Sequence, residues 1–180
     1  MLLALVSVAR GSELQKIKPQ FISDYGDRMV INVPGLTKTK RPSHPQLSFA
    51  LHTFSDNGQI CVVTCLREYL QRTLPLRVSD TQQDSLFISH IRPHHKVASC
   101  TIARWLKEVM ASAGIDVQIF KAHSARAAAV SKAREQGVSP AQIVDCANWS
   151  NASTFRTFYN KPIVSDSDAM QGFQRSILRH

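Results

Sequence analysis

Two short apolar stretches joined by a turn constrain the fold of this chain more than any other feature of its sequence. Residues 28–33 (RMVINV) and 47–52 (LSFALH) have the alternating or continuous apolar character of short β-strands. The segment between them, PGLTKTKRPSHP, is rich in proline, glycine and basic residues, which is typical of a turn. The pattern therefore predicts one small antiparallel sheet near the N-terminus.

Most of the remaining chain has the periodicity of amphipathic helices. Gly114 and Gly137 end two of these helices, whereas Ser139 and Pro140 supply the cap and first turn of another. Ser124 is a candidate N-cap for the helix that follows it and continues to about Glu135, and LFISH has the character of a further short strand. The predicted helices cover residues 2–17, 59–72, 98–113, 124–135, 140–147 and 152–160. We therefore expect a mainly α domain with a small antiparallel β-sheet (α+β) over residues 1–163.

The charge balance favours a polyanionic partner. Of 180 residues, 22 are lysine or arginine and 13 are aspartate or glutamate, so the formal net charge is +9. A positive excess of this size suits nucleic acid, although many soluble domains are basic without binding it. The sequence contains no stretch of about eighteen apolar residues, so we predict no membrane span and no membrane partner.

The cysteines and histidines do not form a metal-binding pattern. Cys61 and Cys65 lie four residues apart on one face of a predicted helix, and the cluster His90, His94 and His95 lies across a loop from them. A zinc site would need a second pair of ligands that this spacing does not supply. We predict four reduced thiols in an intracellular protein, with no metal and no cofactor.

One series of polar residues suits chemistry on a phosphate. Each residue alone is typical of a solvated charge, a helix cap or a core aromatic, and only their order is informative. An Arg-x-x-Glu pair comes first, a lysine follows in the strand-to-strand turn, and then come His-x-x-Arg, tryptophan and tyrosine. In chain order these residues are Arg10, Glu13, Lys38 or Lys40, His123, Arg126, Trp149 and Tyr159.

This order resembles the catalytic domain of the tyrosine recombinases, the integrase family. VARGSEL is similar to the family's first arginine box, TKT to its lysine hairpin, AHSARAAA to its HxxR helix and WSNASTFRTFYNKP to its terminal box. The resemblance covers the chain from residue 2 to about 163, and its last two motifs are most similar to recombinases of DIRS-like eukaryotic retroelements. It implies the tyrosine recombinase catalytic-domain fold and DNA strand cleavage and rejoining during integration of a mobile element.

The resemblance also implies a role for each residue. Tyr159 attacks the phosphorus and forms a covalent 3′-phosphotyrosine, and Lys38 protonates the departing 5′ oxygen. The remaining catalytic groups hold the phosphate oxygens, and one carboxylate supports them. The phosphate-holding residues are Arg10, Arg126, His123 and Trp149, and the supporting residue is Glu13. Further basic residues are expected to bind the DNA backbone: Lys40, Arg41, Lys96, Arg104, Lys132 and Arg134.

Several alternatives stay open at this point. Lys40 competes with Lys38 for the acid role, and Tyr159 follows Trp149 by one residue more than in bacterial and phage members. Tyr25 and Tyr69 are poor rival nucleophiles, because one precedes a glycine turn and the other lies on an apolar helix face. The other functional hypotheses are an inactive, domesticated DNA-binding domain, a type IB topoisomerase-like enzyme, which typically has lysine in place of His123, and a helical interaction domain.

The expected partner is double-stranded DNA, and no small-molecule substrate is expected. By resemblance the protein forms a homo-tetramer on DNA, and residues 164–180 form a helix that packs either on a neighbouring protomer or on its own domain. The family's N-terminal clamping domain has no counterpart in the sequence, so we expect the chain alone to be a weakly active half-clamp. We expect it in the nucleus of a eukaryote, otherwise in the cytoplasm, and not secreted.

Overall fold

The chain folds into a helix-rich domain with one small antiparallel sheet, as the sequence predicts. The structure, a computed structural model, describes residues 1–35 and 46–147 together with Trp149 and Phe155. Its helices are α1 (Leu2–Val6), α2 (Gly11–Leu14), α3 (Val62–Thr73), α4 (Asp80–Gln83), α5 (Ser99–Ser112), α6 (Ser124–Glu135) and α7 (Pro140–Cys146). Among the described residues, no helix has the length and apolarity that crossing a bilayer requires.

The sheet has three strands in the order β1 (Ile22–Asp24), β2 (Arg28–Asn32) and β3 (Ser48–His52). Met29 pairs with Leu51 and Ile31 pairs with Phe49, and all four side chains are buried. Because alternate residues of a strand face opposite sides, this register buries the apolar side chains of both strands on the same face. The alternation in the sequence thus predicts β2 and β3, whereas β1 was not predicted because three residues show too little pattern.

The predicted helix over residues 2–17 is wrong, because the chain breaks between α1 and α2. Ser7 Oγ donates to the Leu3 carbonyl at 2.6 Å, and Val8 follows with a positive φ of 51°. Arg10 is extended, with ψ of 152°, and begins the second helix. The apolar run through this segment hides the break, since both short helices and the turn between them pack on buried residues.

Other predicted boundaries hold with small changes. Gly114 and Gly137 both have positive φ after their helices, and Ser139 caps α7 by accepting from the Gln142 backbone N–H. His123 rather than Ser124 is the N-cap of α6, because the Ser124 hydroxyl accepts from the Lys121 N–H.

The short helix α4 was not predicted. LFISH contributes only an isolated bridge from Ile88, and the predicted 152–160 helix lies outside the described residues except for Phe155.

The core divides into two packed clusters. The larger joins α1, α2, the sheet, α3 and α5, and the smaller joins α6 and α7 with Trp149 and Phe155. Val8, in the turn between α1 and α2, packs on the smaller cluster, so the helix break links the two. Cys61 is buried at the start of α3, whereas Cys65, four residues later, is exposed.

A buried arginine fixes the segment after α3. Arg77 is only 8% exposed, and its guanidinium donates to the carbonyls of Gln82, Ser85 and Leu86 and to the Thr73 hydroxyl. Burial lowers the pKa of this guanidinium. These bonds hold the end of α3 against the segment that leads to α5, because they supply donors to the Ser85 and Leu86 carbonyls, whereas the Gln82 carbonyl also accepts from the Ser85 N–H.

We expect Arg77→Met to destabilise the fold strongly. The substitution keeps an apolar stem but leaves the carbonyls of Ser85 and Leu86 without this donor, which should cost about 3 kcal/mol in the free energy of unfolding. The matched control is Arg72→Met near the end of α3, since Arg72 is 77% exposed and pairs with Glu68. Chemical denaturation should show a change within about 0.5 kcal/mol for this control. Equal stability of the two variants would contradict the structural role of Arg77.

Candidate active site

Arg10 and Glu13 are placed by the start of α2. The Glu13 carboxylate accepts from the Arg10 backbone N–H at 2.7 Å through Oε2 and from Arg10 Nη1 at 2.8 Å through Oε1. A carboxylate in the first turn of a helix satisfies an otherwise unpaired N–H and suits the positive end of the helix dipole. Glu13 is buried, and the Arg10 side chain is 30% exposed. The helix break therefore directs the Arg10 side chain toward the surface, while the hydrogen bond to Glu13 fixes the Arg10 backbone.

Arg126 approaches the same carboxylate from the other cluster. Its Nη1 lies 3.9 Å from Glu13 Oε2, and Nη2 donates to the Ala147 carbonyl at 3.5 Å. The guanidinium carbon lies 5.1 Å from the centre of the Trp149 ring, a cation–π arrangement. One buried carboxylate thus contacts two arginines that are far apart in the sequence, and two positive groups remain beside one negative group.

A cleft of about 410 Å³ opens where these helices meet. Arg10, His123 and Arg126 line it, so three of the predicted site residues are brought together. Its remaining walls come from α1, α2, α5 and the start of α6, and they consist mostly of small side chains that leave room for a ligand. These wall residues are Ala4, Ala9, Gly11, Ala103, Leu106, Ala122 and Ala125. The cleft can accept an anion, because permanently charged guanidinium groups face a compact space.

Trp149 does not line this cleft, although the sequence resemblance places it with Arg10, Arg126 and His123 among the phosphate-holding residues. It is only 6% exposed, and its ring lies between Arg126 and Phe155, whose ring centre is 6.2 Å away. A large aromatic surface gains more from burial against another ring and a guanidinium stem than from solvent contact. In this structure the Trp149 ring packs against the Arg126 guanidinium and does not face the cleft.

Comparison with known proteins now identifies the family. The sequence model described as the phage integrase family matches residues 1–163. The chain belongs to this family, the tyrosine recombinases. No curated protein matches the chain at a significant level.

Solved structures of tyrosine recombinases share the fold. XerA recombinase has a TM-score of 0.65 at 20% identity, covering 98% of this chain and 57% of its own. XerH site-specific recombinase bound to its difH substrate has a TM-score of 0.67 at 12% identity, covering 94% and 44%. The Tn1549 transposon integrase in complex with circular intermediate DNA has a TM-score of 0.56 at 13% identity, covering 97% and 57%. The chain therefore spans only about half the length of these recombinases.

The remaining chemical groups of the predicted site lie outside the described residues. These are the two candidate acids Lys38 and Lys40, the neighbouring Arg41, the nucleophile Tyr159 and the tail 164–180. Their roles stay predictions. Within the described ranges 1–35 and 46–147, no group of histidine, cysteine or carboxylate side chains could hold a metal ion, and the four cysteines are free thiols.

The two rival tyrosines have other surroundings. The Tyr69 hydroxyl accepts from the Ile88 N–H at 3.3 Å, and burial raises its pKa, which opposes formation of the phenolate. Tyr25 is 60% exposed, lies in the turn before β2 and stacks under Arg28. Neither tyrosine lines the cleft.

Among the predicted backbone-binding residues, those that the structure describes are exposed: Lys96, Arg104, Lys132 and Arg134. Lys132 pairs with Glu135 at 2.8 Å, and Arg104 lies 3.8 Å from Glu108, so part of their charge is compensated. The sequence did not indicate that Glu13 would reach Arg126 as well as Arg10, because no local spacing encodes a contact between two separate helices.

Proposed function

We propose that this chain is the catalytic domain of an enzyme that cuts and rejoins DNA strands through a covalent 3′-phosphotyrosine. The observation that carries the proposal is the cleft in which Glu13 holds Arg10 and Arg126 together beside His123. Two guanidinium groups in one small cleft suit the two non-bridging oxygens of a phosphodiester. Membership of the family indicates the general reaction, and the cleft is the proposed binding site for the phosphate.

The reaction balances without a metal or ATP. The Tyr159 oxygen attacks phosphorus and gives its proton to water, the bond from phosphorus to the 5′ oxygen breaks, and Lys38 gives a proton to that oxygen and regains one from water. Arg10 and Arg126 offset the negative charge that grows on the phosphate oxygens, and His123 adds a hydrogen-bond donor. Attack by a 5′ hydroxyl on the phosphotyrosine reverses these steps and restores the DNA strand. The phosphotyrosine conserves the energy of the original bond.

The finer assignments rest on sequence resemblance. We propose that the protein integrates or excises a mobile element of the DIRS-like type, acts on double-stranded DNA as a homo-tetramer and works in the nucleus. In this assembly residues 164–180 would pack on a neighbouring protomer. The XerH and Tn1549 structures contain DNA, which supports a DNA partner for this chain.

A covalent-trapping experiment tests the proposed function. We expect the chain, incubated with nicked duplexes from a random-sequence pool, to form a protein–DNA adduct that survives denaturation, because a nick lets the cleaved end diffuse away. Peptide mass mapping should place the nucleotide on Tyr159. Tyr159→Phe removes one hydroxyl and should abolish the adduct while leaving non-covalent affinity unchanged.

Two outcomes would change the assignment. An adduct that persists in Tyr159→Phe would place the nucleophile elsewhere. Duplex binding without any adduct, across a pool that includes the element's own ends, would favour the inactive DNA-binding alternative.

A further inference from the structure

A histidine- and arginine-containing hairpin, residues 88–96, is not used by the proposed chemistry. Ile88 and Lys96 form an antiparallel bridge, and the Ser89 N–H donates to the His95 carbonyl at 2.8 Å. The stretch from residue 85 to residue 107 contains no acidic residue. We call residues 88–96 the basic hairpin, and its exposed polar side chains are His90, Arg92, His95 and Lys96.

The basic hairpin is held in one conformation. The Gln82 side-chain amide donates to the Pro93 carbonyl, His94 Nδ1 lies 2.9 Å from the Ser89 carbonyl oxygen, and the His94 N–H donates to the Ile91 carbonyl. Ile91 at its tip is nevertheless 65% exposed. Since its conformation is already fixed, the hairpin loses little entropy when its side chains meet a ligand.

The chain before the basic hairpin contacts the segment after α2, and the chain after it continues into α5, which forms a wall of the cleft. Before it, the Leu86 N–H donates to the Ile17 carbonyl at 2.9 Å, just after α2. After it, the chain enters α5 at Ser99, whose carbonyl oxygen would lie 3.5 Å from a Cβ on Gly11, the neighbour of Arg10. Ala103, a wall residue of the cleft, is one turn further along α5, about 6 Å at the usual rise per residue.

We infer that the basic hairpin is a second contact for duplex DNA, binding backbone phosphates a few nucleotides away from the phosphate in the cleft; this rests on the proposed function. Lys96 is three residues from Ser99, at most about 11 Å of chain, and phosphates follow one another at about 3.4 Å along the axis of a strand, so the hairpin lies within a few phosphates of the cleft. Arg92 and Lys96 neutralise phosphates, and the exposed histidines add N–H donors. The contact positions the duplex and carries no sequence information.

The test compares two charge-neutralising double variants of the 180-residue chain by fluorescence anisotropy with a random-sequence duplex. Arg92→Gln/Lys96→Gln should lower affinity at least about tenfold at 0.1 M salt and reduce the slope of log affinity against log salt by about 2. Arg28→Gln/Arg72→Gln removes the same charge from β2 and α3, which do not line the cleft, and should change the slope by less than about 0.5. All four side chains are exposed, so both variants should fold normally.

Equal losses in the two double variants would overturn the inference, because net charge alone would then explain binding. An unchanged slope in Arg92→Gln/Lys96→Gln would also overturn it. Failure of the proposed function has a different signature, absence of the adduct in the wild-type chain.

Discussion

Arg126→Ala should reduce the rate of adduct formation by about 10²–10³ at saturating DNA, with a much smaller loss of affinity. The guanidinium lines the cleft and is held by Glu13, the Ala147 carbonyl and the Trp149 ring. Charge on the attacked phosphate grows in the transition state, so a clamp on its oxygens contributes more to the reaction than to binding. Single-turnover trapping and anisotropy on the same duplex measure the two quantities separately.

The control for charge is Arg134→Ala, which removes one exposed arginine from the same helix. It should lower affinity slightly and leave the saturated rate unchanged. Arg126→Lys keeps the charge but lacks the fork of donors, so its rate should remain well below wild type. If Arg134→Ala and Arg126→Ala lost equal rate at saturation, Arg126 would act only through long-range charge. Circular dichroism checks that the Arg126 variants remain folded, because this side chain is buried.

The sequence predicts the elements of this domain better than the contacts between them. Strands β2 and β3 follow from alternation, and α5 to α7 follow from periodicity with glycine and serine at the ends. The break at Val8 was missed because a continuous apolar run predicts a helix, even where one residue has a positive φ that ends it. Such a break depends on what both halves pack against, which a local pattern does not contain.

The same distinction applies to the site. The residue types and their order predict which side chains meet a phosphate, and the structure brings Arg10, His123 and Arg126 to one cleft. The packing of Trp149 against Arg126 was not predicted. The local sequence around a tryptophan does not show whether its N–H donates into a cleft or its ring packs in the core. Nor does the sequence reveal that Glu13 contacts both arginines, since that contact exists only after α2 and α6 meet.

Glu13→Gln should move stability and anion affinity in opposite directions. The carboxylate is buried, and neutralising it removes the negative charge that lies 3.9 Å from Nη1 of the buried Arg126. Breaking a buried ionic contact in this way should cost about 3 kcal/mol in the free energy of unfolding. The same loss makes the cleft more positive, so sulfate or duplex DNA should bind the folded variant more tightly than it binds wild type.

Thermal melts with and without sulfate measure both effects. Without sulfate the midpoint of Glu13→Gln should fall by roughly 10 °C, and added sulfate should raise it more than it raises the wild-type midpoint. Glu108→Gln makes the same charge change on the exposed face of α5, beside Arg104, and should shift the midpoint by less than about 2 °C. General damage to the fold would reduce stability and sulfate response together. A carboxylate that restrains two arginines of one cleft predicts a less stable protein that responds more strongly to an anion.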